Sequence, residues 1–359
     1  MSNSNYMAKL ELSLSNPNLS TSVVTIGVPV YNQAKIIARN ISSILENTTS
    51  SFEIIIIDDA SRDLTLQAIL NVFNSKIFED FPNMASVRVY RNSNSKFETG
   101  CDDLAITESR SRYFLEIQSD MFMEQRGYDK KLLEAISSYD DLIALSGRGV
   151  HKISDVVIEY KKTAGSDRSR GKTIPRHIVN VIRTRLRTLN REVVSESPFP
   201  EVSKNSISDR PSFALQNDFL TSGAIGQLGP LMETMIEAKY IQARRIFVGE
   251  TIMRGPLLID LEKLKKLGNW DEGSFFQAYD DHDFCLRAYI SQGYRVGYVP
   301  ISFASPTQDG TTRKRKPLVS EFSILSNLLR IRRARKESQL YLATINGLPN
   351  LPAPEIRGF

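Results

Sequence analysis

The most constraining feature of this sequence is an uninterrupted apolar run that ends in two carboxylates. The run is Phe52-Glu53-Ile54-Ile55-Ile56-Ile57-Asp58-Asp59, and it continues into Ala60-Ser61-Arg62-Asp63. Four consecutive isoleucines predict a strand that is covered on both faces, as parallel strands of an α/β sheet are. Ligands of open α/β sheets bind at the carboxyl ends of the strands, so Asp58 and Asp59 lie where a nucleotide would bind. Capping of the helix that begins near Asp63 explains the same pair equally well.

The segments around this run alternate between strand-like and helix-like patterns. This alternation predicts βαβ units, hence an α/β fold with a mostly parallel sheet flanked by helices. The strand-like segments of the first half are Val23–Val30, Val87–Tyr90, Tyr113–Ile117 and Leu142–Leu145. The later elements are a strand at Pro256–Ile259, a helix that ends at Gly268, a helix that opens near Asp280 and a strand at Tyr294–Val299.

Composition and charge divide the chain into five segments. Residues 1–20 are polar and predict a disordered leader, and residues 21–150 predict a nucleotide-binding half. Residues 151–250 lack strand periodicity and are interpreted as an insertion of uncertain structure. Residues 251–310 predict the second half of the same fold, and residues 311–359 a basic helical tail.

Cysteine and histidine usage limits the compartment and the metal chemistry. The 359 residues include only two cysteines, Cys101 and Cys285, too few for a disulfide framework. A reducing, cytoplasmic compartment is therefore expected. The three histidines do not pair at metal-ligand spacing, which argues against a zinc site. No apolar run approaches the length of a membrane span, and the N-terminus resembles neither a signal peptide nor an anchor.

Positive charge is concentrated in the tail, between Arg313 and Lys336. Such a surface suits phosphates, either those of a ligand or those of anionic lipid, and predicts peripheral contact with an anionic membrane. An arginine-rich helix between Ile178 and Leu189 fits a membrane-facing helix, but packing on its own domain explains it as well. Nucleic acid is not an expected partner, because the basic tail contains no recognition motif and no interleaved aromatic residues.

Two further acidic positions are candidates for chemistry. The first strand ends without a glycine-rich phosphate loop, so a divalent cation is the economical way to hold a diphosphate, and Asp120 at a strand end supplies one carboxylate. Asp280-Asp281-His282-Asp283 opens a helix, where the macrodipole favours the ionised form that a general base needs. A turn or a helix cap is the structural alternative at both positions.

Together these motifs resemble those of the family 2 glycosyltransferases, which have the GT-A (Rossmann-like) fold. The resemblance rests on Gly27-Val28-Pro29-Val30-Tyr31-Asn32, Ile56 to Asp63, Gln118-Ser119-Asp120, Trp270-Asp271-Glu272 and Asp280 to Arg287, in the order the family has them. It covers Val23 to about Asp120 and Gly255 to Pro300. It implies that residues 21–150 bind a nucleotide sugar and that residues 251–310 bind the acceptor and carry the catalytic base.

Residue by residue, the resemblance implies a complete site. Asp281 would be the catalytic base, and Asp120 would bind Mn²⁺ or Mg²⁺ on the donor diphosphate. The reaction implied is inverting, metal-dependent transfer from a nucleoside-diphosphate sugar to a hydroxyl of a glycan or lipid-linked glycan, as in polysaccharide biosynthesis. The donor side would comprise Pro29, Tyr31, Asp58, Asp59, Ser119 and Asp120, and the acceptor side Trp270, Asp271, Glu272, Asp280 and Arg287.

Two departures from the family pattern leave alternatives open. Gln118 stands where many members have the first Asp of the metal motif, and Ser302 to Pro306 offers no histidine ligand. The basic run Arg313 to Lys316 is a candidate to offset diphosphate charge instead. A non-catalytic relative that binds sugar nucleotides or glycans is the alternative function. A nucleotide-sugar pyrophosphorylase is disfavoured, because such an enzyme would be expected to have a glycine-rich basic loop after the first strand. This sequence has no such loop there.

Overall fold

The computed structural model describes residues 8–74, 76–151, 244–252, 254–268, 280–305 and 355–359. The strands in these ranges are β1 (Ala8–Ser15), β2 (Val24–Val30), β3 (Phe52–Asp58), β4 (Met84–Asn92), β5 (Tyr113–Glu116), β6 (Phe122–Met123), β7 (Leu142–Ser146), β8 (Val150–His151), β9 (Arg245–Gly249), β10 (Thr251–Ile252), β11 (Leu257–Asp260), β12 (Arg295–Tyr298), β13 (Phe303–Ala304) and β14 (Glu355–Gly358). The helices are α1 (Ile37–Asn47), α2 (Thr65–Leu70), α3 (Ile77–Asp80), α4 (Phe97–Glu108), α5 (Tyr128–Ser137), α6 (Leu261–Leu267) and α7 (Asp280–Gln292).

One ten-stranded sheet organises these elements, in the order β1-β4-β3-β2-β5-β11-β7-β12-β9-β14. Strands β4, β3, β2 and β5 are parallel neighbours, and β12 is parallel to β7. β11 runs antiparallel to both β5 and β7, so these two strands point the same way on either side of it. β1 and β9 are also antiparallel to their neighbours. Most strands therefore share one direction, and the predicted α/β fold with a mostly parallel sheet flanked by helices is confirmed.

The isoleucine strand β3 is an interior strand, third from one edge of the sheet, and is buried along its whole length. Ile54 and Ile56 belong to the core on one face, together with buried residues of α1, α2 and α5. Ile55 and Ile57 belong to the core on the other face, with buried residues of α4, α6 and α7. Coverage on both faces explains why this strand contains no alternation of polar and apolar residues.

Helix α6 begins and ends where its sequence predicts. Asp260 is its N-cap, with its side chain accepting hydrogen bonds from the backbone N–H groups of Glu262 and Lys263. Gly268 is the C-cap, with φ of 87°, a left-handed conformation that favours glycine. The predicted stop at Gly268 is therefore confirmed. None of the helices in the described ranges has the length and apolarity that crossing a membrane would require.

The predicted disordered leader is wrong for residues 8–15, which form the edge strand β1. Its leucines alternate with polar residues, and Leu12 and Leu14 pack against the core. Asn16 ends the strand, and its side-chain amide donates to the carbonyls of Pro82 (3.2 Å) and Met84 (3.0 Å). The period-two pattern is present in the sequence, but it lies among Ser and Asn residues that suggest disorder.

Two further predicted boundaries are corrected at the opposite edge of the sheet. β9 lies within the segment interpreted as an insertion, yet it is a sheet strand with a buried interior. Residues 355–358 of the predicted helical tail form β14, which pairs with β9. Arg357 anchors β14 through a two-pronged ion pair with Asp141, at 2.6 and 2.8 Å. The rest of the insertion and of the tail lies outside the described residues.

Candidate active site

The carboxyl ends of the parallel strands gather the predicted donor-side residues at one edge of the sheet. Val30 of β2 is in register with Asp58 of β3, and Gly27 of β2 with Glu116 of β5. The segments that follow these strands therefore emerge side by side. They contain Tyr31, Asp59 and the Gln118–Asp120 turn.

The loops that follow β2 and β3 are joined by hydrogen bonds. The Asn32 backbone N–H donates to Ser61 Oγ at 2.9 Å, and the Arg62 backbone N–H donates to Asn32 Oδ1 at 2.8 Å. Asn32 has φ of 51°, in the left-handed region that Asn tolerates better than most residues. Pro29 and Tyr31 are half-buried in this joined unit.

Asp58 is completely buried at the end of β3. Its Oδ1 accepts from the Ser61 backbone N–H at 3.1 Å, and its Oδ2 lies 3.4 Å from Arg91 Nε. Burial raises its pKa, while the hydrogen bonds from Ser61 and the charge of Arg91 oppose the rise. Asp58 thus helps to shape the turn that carries Asp59.

Asp59 is also buried, and its carboxylate accepts four hydrogen bonds from the segment that follows β4. The donors are Asn92 Nδ2 (2.9 Å), Ser95 Oγ (2.6 Å) and the backbone N–H groups of Lys96 (2.7 Å) and Phe97 (3.0 Å). Lys96 and Phe97 begin helix α4. Asp59 therefore caps a helix, as the alternative interpretation of the acidic pair required, but the helix is α4 and not the one that starts near Asp63.

The Gln118–Asp120 turn is held from beneath by Asn40 of α1. Asn40 Nδ2 donates to the carbonyls of Gln118 (3.0 Å) and Met121 (2.5 Å). Ser119 and Asp120 are each 9% exposed. The Gln118 side chain donates its amide N–H to Glu98 Oε1 and packs on Gly255, where a Cβ would come within 2.8 Å of Gln118 Cγ. Gln118, at the first position of the predicted metal motif, therefore points towards Glu98 and the segment before β11.

A buried cluster centred on Arg254 joins the two halves of the site. Its guanidinium forms ion pairs with Asp102 and with Glu116 (Nε to Oε2, 3.2 Å), and its Nη1 donates to Thr99 Oγ1 at 3.3 Å. Glu98 Oε1 lies 4.0 Å from Arg254 Nε. Since Thr99 and Asp102 belong to α4 and Glu116 to β5, this side chain ties the segment before β11 to the donor half.

The predicted base, Asp281, lies in the first turn of α7. Burial raises its pKa to about 6, Arg254 and a hydrogen bond from the His282 backbone N–H (2.8 Å) oppose the rise, and Glu98 adds to it. Glu98 and Arg254 therefore act on Asp281 while contacting the Gln118 turn and α4. Asp59 and Glu98 both raise the pKa of the buried Cys101 thiol.

The remaining predicted acceptor-side residues are only partly described. Arg287 donates from Nε to Asp283 Oδ2 at 2.7 Å and from Nη1 to the Leu267 carbonyl at 3.1 Å, so it links α7 to the end of α6. Asp280 begins α7, and its side chain is outside the described set. Trp270, Asp271 and Glu272 also lie outside the described residues, so their predicted roles stay predictions.

The sequence reasoning missed Glu98, Arg254 and Asn40. The one available signal was the position of Arg254 directly before Gly255, Pro256 and a buried strand, because a charge next to an apolar strand needs partners. Its partners come from α4 and β5, distant segments of the chain. Glu98 and Asn40 lie within helices and have no local signature.

The Gln118–Asp120 turn offers few protein ligands, which fits a divalent cation that is bound mainly by water and by substrate phosphates. Mg²⁺ in nucleotide sites is bound by one or two carboxylates, with waters and substrate phosphates completing the shell. Asp120 supplies one carboxylate, and the Gln118 amide is directed to Glu98. Within the described ranges, no three His, Cys, Asp or Glu side chains are grouped to hold a metal. Any cation there would depend on the phosphates of its ligand.

The sheet carries buried carboxylates at the carboxyl ends of its parallel strands, the edge at which open α/β sheets bind ligands. Residues 25–196 match the family model described as Glycosyl transferase family 2. The match extends beyond Asp120 into the segment interpreted as an insertion. It does not include the Gly255 to Pro300 part of the resemblance.

Solved glycosyltransferases are among the similar structures. The mannosyltransferase PcManGT from Pyrobaculum calidifontis, in complex with GDP-Man and Mn²⁺, is 16% identical with a TM-score of 0.45, covering 94% of this chain and 68% of that one. S. aureus TarS 1-349 is 14% identical with a TM-score of 0.40, covering 79% of this chain and 60% of that one. GalNAc-T7 with UDP, GalNAc and Mn²⁺ is 14% identical with a TM-score of 0.45, covering 79% of this chain and 43% of that one.

This chain thus spans less than two thirds of the TarS chains, with 60% of the 1-349 fragment and 37% of the longer TarS structure. A comparison with curated proteins found no match.

Proposed function

We propose that this chain transfers a sugar, with inversion, from a nucleoside-diphosphate sugar to a hydroxyl of a glycan or lipid-linked glycan. The observation that carries the proposal is geometric: buried Asp59 and Asp120 follow β3 and β5, the two strands that flank β2, at one edge of the sheet, and Arg254 ties the segment before β11 to α4 and β5. Burial raises the pKa of Asp281 to about 6, and Arg254 and Glu98 act on it in opposite directions. A general base works best when its pKa is close to the operating pH. Carboxyls whose pKa is perturbed by burial and by specific charge partners are common at functional sites.

In the proposed reaction the acceptor hydroxyl oxygen forms a bond to the anomeric carbon as the bond from that carbon to the diphosphate oxygen breaks. Asp281 takes the hydroxyl proton, and the nucleoside diphosphate leaves with the bonding electron pair. In this proposal Pro29, Tyr31 and Ser119 line the donor pocket, and buried Asp58 and Asp59 hold the loops that form it. Mn²⁺ or Mg²⁺, held through Asp120, would neutralise charge on the diphosphate when bound.

The test is Asp281→Asn, which keeps the size of the side chain and removes its basicity. Donor hydrolysis in the presence of Mn²⁺ is expected to fall by about 10² to 10⁴-fold, the usual contribution of a general base, while donor affinity is retained. Release of nucleoside diphosphate and calorimetric binding provide the two measurements. Asp80→Asn, at an exposed position on α3, is the matched control and should change neither.

The pH dependence gives a second check on the same residue. Because the proposed base acts only when ionised, and its pKa is about 6, turnover should fall tenfold per unit as the pH drops below 6. A rate that stays constant between pH 7 and 5 would remove Asp281 from this role.

A non-catalytic binder of sugar nucleotides or glycans is the second candidate. The observation that favours it is the Gln118 side chain, which bonds to Glu98 where a metal ligand is expected. Wild-type protein that binds a donor but neither transfers nor hydrolyses it with Mn²⁺ would establish this alternative.

The acceptor and the location complete the proposal. A cytoplasmic enzyme that meets a lipid-linked acceptor at an anionic membrane would use the basic residues from Arg313 to Lys336, which lie outside the described residues. Flotation with anionic liposomes should therefore weaken when residues beyond Pro317 are removed. Equal flotation of both proteins would contradict membrane contact.

A further inference from the structure

The carboxylate of Asp59 has little remaining capacity to bind a ligand. An ionised carboxylate offers about four lone-pair positions to hydrogen-bond donors. Asn92 Nδ2, Ser95 Oγ and the backbone N–H groups of Lys96 and Phe97 occupy that number, at 2.6 to 3.0 Å. A nucleobase N–H that approached Asp59 would have to displace one of them.

Backbone conformation on both sides of this contact shows what the carboxylate holds in place. Phe97 has φ of 61°, an uncommon conformation for a bulky residue, and its N–H is one of the four donors. Ala60, directly after Asp59, has φ of 60°. Strained residues of this kind persist only where the surroundings over-determine them. Asp59 supplies that constraint for the start of α4.

The loop that Asp59 holds lies at the edge where the donor is proposed to bind. β4 is parallel to β3, so the residues that follow Asn92 emerge beside Asp59 and the joined loops at Asn32 and Ser61. Asn92 is fixed a second time by Cys101 of α4, whose Sγ lies 3.6 Å from Asn92 Nδ2. The surface that the loop offers to a ligand includes exposed Lys96 and half-buried Phe97.

We propose that Asp59 is a positioning residue, which builds the donor pocket by fixing the segment from Asn92 to Phe97, and that its carboxylate does not read the nucleobase. The inference rests on the proposed function, because it assumes that a nucleoside diphosphate binds at this edge. Base selectivity then resides elsewhere in the pocket, and Asp59 contributes equally to the binding of every nucleotide.

The test is Asp59→Asn assayed by calorimetry with UDP, GDP, CDP and ADP. The amide keeps one acceptor oxygen but replaces the other with a donor, which faces the N–H and O–H groups of the loop. All Kd values that are measurable in the wild type should rise by about tenfold and by the same factor, the change expected for losing one or two hydrogen bonds to a charged group. A base-reading carboxylate would instead weaken one nucleotide far more than the others.

Ser95→Ala is the second variant, and it keeps the test decisive if Asp59→Asn does not fold. It removes one loop donor and leaves the carboxylate in place, so it should weaken all nucleotides equally but by a smaller factor. Amide exchange at Lys96 and Phe97 should accelerate in both variants. Unchanged Kd values beside lowered unfolding free energy would mean a merely structural role and would overturn the proposal.

The outcomes also separate this inference from the proposed function. Wild-type protein that binds none of the four nucleotides overturns both. Wild-type binding with a selective loss in Asp59→Asn overturns the inference and leaves glycosyl transfer standing.

Discussion

Helix α4 covers two buried arginines, one near each end, and their surroundings differ in charge balance. At the C-terminal end, Arg88 donates to Glu53 Oε2 at 2.8 Å and to the Glu108 carbonyl at 2.7 Å. Glu53 also accepts from Thr25 Oγ1 and the Arg110 backbone N–H, at 2.6 and 2.7 Å. At the N-terminal end, Arg254 faces three carboxylates, those of Glu98, Asp102 and Glu116.

The difference separates an ion cluster that serves the fold from one that serves the site. Around Arg88 the Glu53 carboxylate accepts from neutral donors as well as from the guanidinium, and the hydrogen bonds of the pair within the described residues go to residues outside the candidate site. Three carboxylates face Arg254, against two that face Arg88, and the Arg254 cluster acts on the pKa of Asp281 in both directions, with Arg254 lowering it and Glu98 raising it. Perturbed groups with specific charge partners are common at functional sites.

The largest expected effect is that of Arg254→Met. Removing one partner of a buried ion cluster leaves uncompensated carboxylates, and the free energy of unfolding should fall by about 3–5 kcal/mol. Urea denaturation measures the loss. The acid limb of the pH–rate profile should also move to higher pH, since Arg254 favours the ionised form of Asp281.

Arg126→Met is the matched control for this change, because Arg126 is exposed and its replacement should change the unfolding free energy by less than about 0.5 kcal/mol. A pH profile unchanged in a folded Arg254→Met protein would break the proposed link between Arg254 and the base.

Arg88→Met sharpens the comparison from the other end of α4. We expect a loss of about 3 kcal/mol, near the lower end of the range for a broken buried pair, because the Glu108 side chain is 37% exposed and can be hydrated. Its pH–rate profile should match that of the wild type. A shifted acid limb in this variant would mean that both clusters tune the base and that the distinction drawn here is wrong.

The same contrast explains how much could be predicted from the sequence. Strands β2, β3, β5 and β7 and helices α1 and α6 were predictable, because apolar runs and helical spacing record their burial directly. Asp58, Asp59, Asp120 and Asp281 could be singled out as candidates, because strand ends and helix starts are visible as local patterns in the sequence. Glu98 and Arg254 were not, since their partners are distant in the chain, as in the contact between Arg254 and Thr99, which are 155 residues apart.

The remaining differences have the same origin. β1, β9 and β14 are edge or near-edge strands, recruited to the sheet by neighbours distant in sequence. Their own sequences carry less of the signal that interior strands carry, because one side or face is exposed. The role of Asp59 in capping α4 was likewise invisible, because the capped helix begins 38 residues later in the chain.

A smaller effect on stability is expected for Asp281→Asn, which should raise the free energy of unfolding although it lowers turnover. The pKa of Asp281 is raised from 3.8 to about 6, so its carboxyl binds a proton more tightly in the folded state than in the unfolded state. Wild-type protein therefore loses stability as the pH rises from about 4 to about 6. The Asn variant avoids this loss and should be more stable at pH 7 by about 1–3 kcal/mol.

Urea denaturation at pH 7 and at pH 4 measures this difference. The advantage of the Asn variant should disappear at and below pH 4, where the wild-type carboxyl is protonated in the folded state and increasingly in the unfolded state. A variant less stable than wild type at pH 7 would mean that Asp281 is held by favourable contacts and is not poised as a base.

The smallest expected effect is that of Glu98→Gln, and it tests the charge balance of the Arg254 cluster most directly. The amide oxygen of the new residue can still accept from Gln118 Nε2, so the turn before Asp120 keeps its contact while one negative charge is removed. Since Glu98 raises the pKa of Asp281, the acid limb of the pH–rate profile should move to lower pH, opposite to Arg254→Met. The acid limb should move by about half a pH unit, because the Glu98 side chain is 40% exposed and water and salt screen its field.

Glu79→Gln, which changes an exposed carboxylate on α3, is the matched control and should leave the pH–rate profile unchanged. If both cluster variants moved the limb in the same direction, the charge of the cluster would not control the base, and the two ends of α4 would differ in packing alone.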